Sequence, residues 1–294
     1  MEGFNRLNDR FVKYLFANPS HKKLLIAFLN EVLADIPPGV ERIPPIVDIE
    51  YVDRETVPEF ERDKMPRFDI IARVAGGRLV HIEIQLEDYE NFLPRTLNYV
   101  SRDYSGLTER GEDYSSKQVI CIVMADFKLF DDTPSYHTLH RILNVENGAW
   151  HMKGMEFHFI EMPKLRKLRR QPETGLEQLL YYLGSIGGEE EMQTLEAKDE
   201  RVAEMRQLEK IFRSNPDLVR EYQQREQDKL DYRLSLEARE KRGRAEGRAE
   251  GVIKGKIEAF VELIRDGVLT VRDAALRANM TEAEFSSQMA ALSV

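Results

Sequence analysis

An α/β domain followed by an all-α extension is the fold class this sequence predicts, and three patterns predict it. Apolar residues recur at helical spacing up to Leu33, short β-type segments occupy the stretch between residues 46 and 162, and strand signals stop beyond Pro172. The chain has 294 residues, 42% of them hydrophobic and 32% charged. That is enough apolar material for a core of one or two domains, with charge left over for a solvated surface or helix.

Phe11, Leu15 and Phe16, then Leu24, Leu25, Phe28, Leu29 and Val32, place an apolar stripe on helical structure broken near Asn18-Pro19-Ser20. Ser20 can cap the second helix, and Pro37-Pro38-Gly39 ends it. β segments follow at 46–52, 67–74 and 79–86. The last two flank Ala75-Gly-Gly-Arg78, a connection short and glycine-rich enough to predict a hairpin with antiparallel pairing. Residues 91–110 read as a helix closed by Gly111, 117–127 as a buried central strand, and 155–162 as a last strand before Pro163. This places the α/β domain at 1–170.

Residues 171–256 read as a charged helical arm, in which Gly243, Gly247, Gly251 and Gly255 recur at every fourth position around a repeated Arg-Ala-Glu. A helical glycine costs about 1 kcal/mol relative to alanine. Such a stripe implies either close approach of another helix, making the chain a homo-oligomer through the arm, or a tolerated, weak helix left by repeat slippage. Residues 257–294 form a small helical tail with Thr281 as a cap and Glu284 three residues on.

The 43 Lys and Arg against 52 Asp and Glu leave a formal net charge of -9, which repels a polyanion unless basic residues cluster locally. They do so at 164–170 and 239–244. Lys164, Arg166 and Lys167 in the first run are candidate phosphate contacts, which position nucleic acid without reading its sequence. The single cysteine, Cys121, lies in an apolar run and cannot form an internal disulfide, and the six histidines show no zinc-ligand spacing. With no apolar run of 18 residues and no signal-peptide pattern at the start, a cytoplasmic protein without a membrane partner is expected.

Strand alternation decides which side chains cooperate. Val80, Ile82, Ile84 and Leu86 share one face, so His81, Glu83 and Gln85 share the other. Asp69 lies opposite Phe68, Ile70, Ala72 and Val74, so Asp69, Glu83 and Gln85 can converge. Two carboxylates near a core repel unless a cation lies between them, and a hard divalent ion such as magnesium accepts one or two carboxylates plus water and phosphate oxygens. The competing reading is an amphipathic hairpin with a solvated polar face.

These residues, in this order, resemble the PD-(D/E)XK nuclease superfamily, and more closely its recombination-promoting nuclease and transposase family, over roughly residues 5–165. The matching segments include Asn8-Asp9, Lys13-Tyr-Leu-Phe16, Leu24-Leu-Ile-Ala-Phe-Leu-Asn30, Ile49-Glu-Tyr51, Phe68-Asp-Ile70 and His81-Ile-Glu-Ile-Gln85. Pro94-Arg-Thr-Leu-Asn-Tyr99, Gly111-Glu-Asp-Tyr114, Ile120-Cys-Ile122 and Ile160-Glu-Met-Pro-Lys164 continue the match. The resemblance implies a restriction-endonuclease-like core of helix, three strands, helix and further strands.

It also implies a DNA endonuclease using Mg2+ or Mn2+, with Asp69, Glu83 and Gln85 catalytic and Asp69, Glu83 and the Ile84 carbonyl as metal ligands. Gln85 stands where the superfamily most often has lysine, so it can orient water or phosphate but brings no cation. Slow or conditional cleavage is expected. Arg95 and Tyr99 match a family motif and could face phosphate, with Arg102 on the same helical face. Glu31 is either a further acid near the metal or a solvated helix-face residue. The alternative function is a catalytically weak or inactive nuclease-fold protein that binds DNA or assembles oligomers.

Overall fold

The computed structural model describes residues 3–52, 70–74, 78–86, 91–107 and 117–291, so the expectations on Asp69, the turn at 75–77 and Gly111 lie outside the described residues. The chain divides into two compact units, Met1–Arg225 and Glu226–Val294.

In the first unit, α1 (Asp9–Phe16) starts at Asn8, whose side chain accepts from the Arg10 amide. Pro19–His21 forms a short 3-10 turn before α2 (Lys22–Ala34). Asn18 caps that turn, accepting from the Ser20 amide at 2.9 Å, whereas α2 starts after His21 with no side-chain cap, so Ser20 does not cap it. The apolar stripe expected on these helices is buried throughout.

Among the described residues six strands form one mixed sheet in the order β1-β2-β3-β4-β6-β5. They are β1 (Ile49–Tyr51), β2 (Ile70–Val74), β3 (Arg78–Gln85), β4 (Val119–Ala125), β5 (His137–Ile142) and β6 (Met152–Glu161). β2 and β3 pair antiparallel as the hairpin reading requires, while β3 with β4 and β4 with β6 are parallel. A parallel pair needs a crossover, and α3 (Phe92–Gly106) lies in the connection between β3 and β4. All seven residues of β4 are buried, as a central strand covered on both faces demands.

β5 is a strand that the sequence does not announce. Its inward-facing positions include His137 and Arg141, so the apolar alternation that marks a half-buried strand is missing. The boundary expected at residue 170 also differs from the structure. After α4 (Met162–Lys167), the helices α5 (Gly175–Leu183), α6 (Glu189–Lys198) and α7 (Glu200–Ser214) follow. Leu176, Leu179, Leu180, Tyr182, Val202, Met205 and Phe212 belong to the same core as the sheet. Their apolar positions recur at helical spacing inside a charge-rich composition, which conceals them from any reading by average content.

The N-terminal segment is fastened to these helices. Arg6 Nε donates to Glu209 at 2.7 Å, and its guanidinium lies 4.7 Å from the Tyr182 ring centre. Tyr182 donates its hydroxyl proton within reach of Glu209 at 2.9 Å and the Met205 carbonyl at 3.0 Å. The Phe212 ring meets Phe11 edge-on at 5.2 Å between centroids.

In the second unit, the later part of α8 (Pro216–Arg265) is followed by α9 (Val271–Ala278) and α10 (Glu282–Ala291). Ile257, Val261, Ala274, Ala275 and Phe285 form its own apolar cluster. The cap expected at Thr281 is reciprocal: Glu284 accepts from the Thr281 amide at 2.9 Å, and Thr281 Oγ1 accepts from the Glu284 amide at 3.2 Å. A Cβ built on Gly243, Gly247, Gly251 or Gly255 meets nothing within 4 Å outside its own helix.

Phe212 is fully enclosed, so Phe212→Ala should destabilise the first unit by about 3–5 kcal/mol. Urea unfolding followed through Trp150 measures this, and a change under about 1 kcal/mol would detach α7 from the core.

Candidate functional site

Strand β3 carries different chemistry on its two faces. Val80, Ile82 and Ile84 join the large core with Ile70, Ala72, Val74, Ile120, Ile122 and Met124. Leu79 joins the smaller core under α3 with Ile71, Phe92, Val100, Val119, Cys121, Val123 and Phe159. His81, Glu83 and Gln85 therefore project to the α3 side, as alternation predicts. In the parallel ladder His81 stands beside Cys121, Glu83 beside Val123 and Gln85 beside Ala125.

α3 supplies the opposite wall. His81 is fully buried, and its Nε2 lies 3.3 Å from Asp103 Oδ2 on α3. Cys121 reports the electrostatics between them: burial, followed by the negative charges of Glu83 and Asp103, pushes its thiol well above the usual range. Cys121 is consequently held as a neutral thiol. The same negative field favours a cation on this side of the sheet. Close approach of α3 needs Gly154 on β6, because a Cβ there would lie 2.7 Å from the Tyr104 ring.

The carboxyl ends of β3, β4 and β6 coincide, with Gln85 beside Ala125 and Ala125 beside Glu161. This end of the sheet gathers several residues that the sequence singled out separately. The Asp126 amide donates to the Gln85 carbonyl at 2.9 Å, and Arg166 forms an ion pair with the Asp126 carboxylate. Fully buried Glu161 accepts from the Leu129 amide at 2.6 Å and from the Lys164 ammonium at 2.5 Å.

That last pairing corrects the expectation for Lys164. Its side chain is only 7% exposed, and its Nζ also donates to the Phe130 carbonyl at 2.6 Å. A cation already committed to a buried carboxylate is a structural strut, not an open phosphate contact. Arg170 is likewise engaged by both oxygens of Glu177, while Lys167 is exposed. Arg95 and Tyr99 are half-buried on α3, with the Arg95 guanidinium 5.9 Å from the Phe92 ring centre, and Arg102 is exposed.

Glu31 lies elsewhere. It forms an ion pair with Arg201 of α7, and a Cβ at Gly175 would collide with its carboxylate, which places it against the helices of the large-core face. Asp103 and Asp126 are the site-side acids that the sequence reading did not place. Their signal was present only as helical spacing between Tyr99 and Asp103 and as the end of the β4 apolar run.

The described donors are chemically consistent with a hard divalent cation. Glu83 offers carboxylate oxygens, Ile84 a backbone carbonyl and Gln85 a side-chain amide oxygen on one short stretch of β3. Among the described residues no group of three His, Cys, Asp or Glu side chains gathers to hold a metal, and Asp69 is outside that set.

A mixed sheet with a parallel centre and a helix crossing over one face make an α/β core consistent with the PD-(D/E)XK type. The family of PD-(D/E)XK nuclease family transposases matches residues 6–239, and the chain belongs to it. The match extends beyond the span expected from the sequence and includes the helices that complete the large core. Such membership carries a nuclease-like or transposition-associated function, with divalent metal general to the superfamily and DNA the implied substrate. No curated protein and no solved structure matches the chain. Among the described residues, no helix is long and apolar enough to cross a membrane.

Two measurements check this description. Lys164→Ala leaves Glu161 buried without its cation and should cost about 3–5 kcal/mol in urea unfolding; a well-folded, unchanged variant would return Lys164 to the surface. Cys121 should resist an aromatic disulfide reagent at pH 8 until denaturant is added, because it is both enclosed and neutral.

Proposed function

We propose that this protein is a divalent-metal-dependent DNA endonuclease, with Asp69, Glu83 and Gln85 as its catalytic residues. The observation that carries the reading is the placement of Glu83 and Gln85 together on the α3 face of β3, where negative field already acts on Cys121. Asp69 immediately precedes Ile70 in the chain, and Glu83 immediately follows Ile82, the strand partner of Ile70. Asp69, Glu83 and the Ile84 carbonyl would hold the ion, with Mg2+ the first choice and Mn2+ able to replace it. When bound, such an ion would stabilise charge on the scissile phosphate and lower the pKa of a water molecule.

The chain's own groups do the rest. Gln85 orients water or a phosphate oxygen through its amide but brings no positive charge, so turnover is slow compared with an enzyme that has lysine at this position. Arg166, held beside Asp126 at the same sheet end as Gln85, and exposed Lys167 are the phosphate-positioning cations of the 164–170 run. Arg95 and Tyr99 contribute from α3.

A second reading, a weak or inactive nuclease fold that binds DNA or assembles oligomers, is favoured by the engagement of Lys164 and Arg170 with carboxylates and by the net charge of -9. Plasmid nicking separates the two. Glu83→Ala and Asp69→Ala should abolish metal-dependent nicking, and Gln85→Ala should slow it about 100-fold. Nicking that persists in both acid variants would overturn the assignment, and its absence from the parent with either metal would select the non-catalytic reading.

Self-association through the glycine face of α8 belongs to the same proposal. Alanine at Gly247 and Gly251 would raise helix stability by about 1 kcal/mol per site in an uncovered helix, yet would obstruct a helix packed against that face. The double variant should therefore reduce the oligomer mass in light scattering. Unchanged mass with higher helix content would remove self-association from the arm.

A further inference from the structure

A buried chain of ionisable groups crosses the large-core side of the sheet, on the opposite face from Glu83. It begins at Asp35, the residue that ends α2, whose Oδ2 lies 2.9 Å from His137 Nδ1 on β5. His137 Nε2 is 2.9 Å from His158 Nδ1 on β6, and His158 Nε2 is 2.8 Å from Glu156 Oε1. Arg141 closes the series, donating from Nε to Glu156 Oε2 at 2.5 Å. His158 and Glu156 are essentially sealed from water, and His137 nearly so.

Proton counting decides the state of this chain. Each of the three contacts along Asp35, His137, His158 and Glu156 joins two groups that can both present lone pairs, so each needs one proton. Two neutral imidazoles supply only two. Whichever tautomers they adopt, one contact at hydrogen-bond distance would then set lone pair against lone pair, at a cost that burial magnifies. A third proton removes the conflict, and an imidazole binds it more readily than a carboxylate. The resulting imidazolium and Arg141 balance Asp35 and Glu156 in charge.

We propose that His137 and His158 share a single imidazolium proton between Asp35 and Glu156, forming a latch that fastens the edge strand β5 to β6 and to the end of α2, and that opens when this proton is lost. The rings lie 5.2 Å apart between centroids, so a second imidazolium would place two cations face to face with both nitrogens of their contact protonated. The shift of His158 runs against a second proton on the pair. Burial, together with His137 and Arg141, lowers His158 despite the opposing pull of Glu156. Asp35 and Glu156 are lowered because hydrogen bonds and charge from the histidines, joined by Tyr136 at one end and Arg141 at the other, outweigh burial.

The groups facing the latch are accounted for on each side. Tyr136 donates to Asp35 at 3.2 Å and also feels Glu177 of α5. Arg141 donates to the Glu41 carbonyl at 2.8 Å, and Lys153 pairs with the Glu41 carboxylate at 2.6 Å. Ile122 of β4 stands beside His158 and contributes no charge.

The sign of the pH dependence follows from linkage. Unfolded, each histidine titrates near about pH 6.5. If the three contacts hold their three protons, the folded pair retains above that a proton the unfolded chain has released, so stability falls as pH rises and the latch empties. Below it, the unfolded chain takes two protons while the folded pair keeps one, and the lowered carboxylates lose their contribution further down as they protonate. Stability therefore peaks near neutrality.

The full-length chain, labelled with 15N at histidine, tests this directly. Between pH 6 and 7 the two rings should show three protonated nitrogens and one bare nitrogen, and two bare nitrogens there would overturn the proposal. Trp150, the only tryptophan, has Arg141 3.6 Å from its ring centre and reports urea unfolding of this region. The wild-type midpoint should trace a bell between pH 5 and 9, and Asp35→Asn should bring its high-pH limb down by at least about one pH unit. A midpoint that climbs steadily to pH 9, or a limb that Asp35→Asn leaves in place, would equally refute the latch. Should Asp35→Asn fail to fold, the nitrogen count on the wild-type chain still decides.

Discussion

Parallel pairing of β3 with β4 is the constraint on which the rest of the molecule depends. It forces a crossover, brings α3 over one face of the sheet and leaves the other to α1, α2 and α5–α7. Every residue of β4 is then enclosed, and β3 is required to be apolar toward the larger core while it holds His81, Glu83 and Gln85 toward α3. A one-residue slip between these strands would drive Glu83 into the large core and Ile84 under α3, so burial on both sides protects the register.

The charge distribution follows a related logic. Several of the first unit's cations are engaged by acids, some far along the chain (Arg6 by Glu209, Arg201 by Glu31), one on the neighbouring strand (Arg141 by Glu156) and some close in sequence (Lys164 by Glu161, Arg201 by Asp199). Such pairs join strand to strand, helix to helix and the N-terminal segment to α7, although desolvation consumes most of their Coulombic gain. They also subtract from the cations available to a polyanion. Under the proposed function, a chain already acidic overall would meet DNA through a few local residues at the carboxyl ends of β3, β4 and β6, not through a broad basic surface.

The two polar systems occupy opposite faces of one sheet. On the α3 side, carboxylates and carbonyl oxygens near Glu83 are suited to a hard cation. On the other, the histidine pair lies between acids and its demand is for a proton. Burial makes both demands strict, because low dielectric raises the cost of an unmatched charge or lone pair. The edge position of β5 explains why a polar latch is used there: an edge strand has a ladder partner on one side only, and side-chain bonds to α2 secure what the missing neighbour cannot.

Local pattern determined a great deal of this. The α1 and α2 stripe, the antiparallel pairing of β2 with β3, the burial of β4 and the cap at Thr281 each depend on residues close in sequence, whose periodicity or turn chemistry reveals them. The grouping of Glu83 with Gln85 was legible for the same reason, since a strand's period of two cannot be escaped. β5 was not legible, because its inward residues include His137 and Arg141, which become acceptable in a core only when His158, Glu156 and Asp35 arrive from elsewhere. Nor could composition reveal that α5–α7 complete the core, or that Lys164 turns inward to Glu161. The first rests on partners distant along the chain, the second on Glu161 being buried by the sheet, and the energy of a buried polar group is set by its neighbours in space.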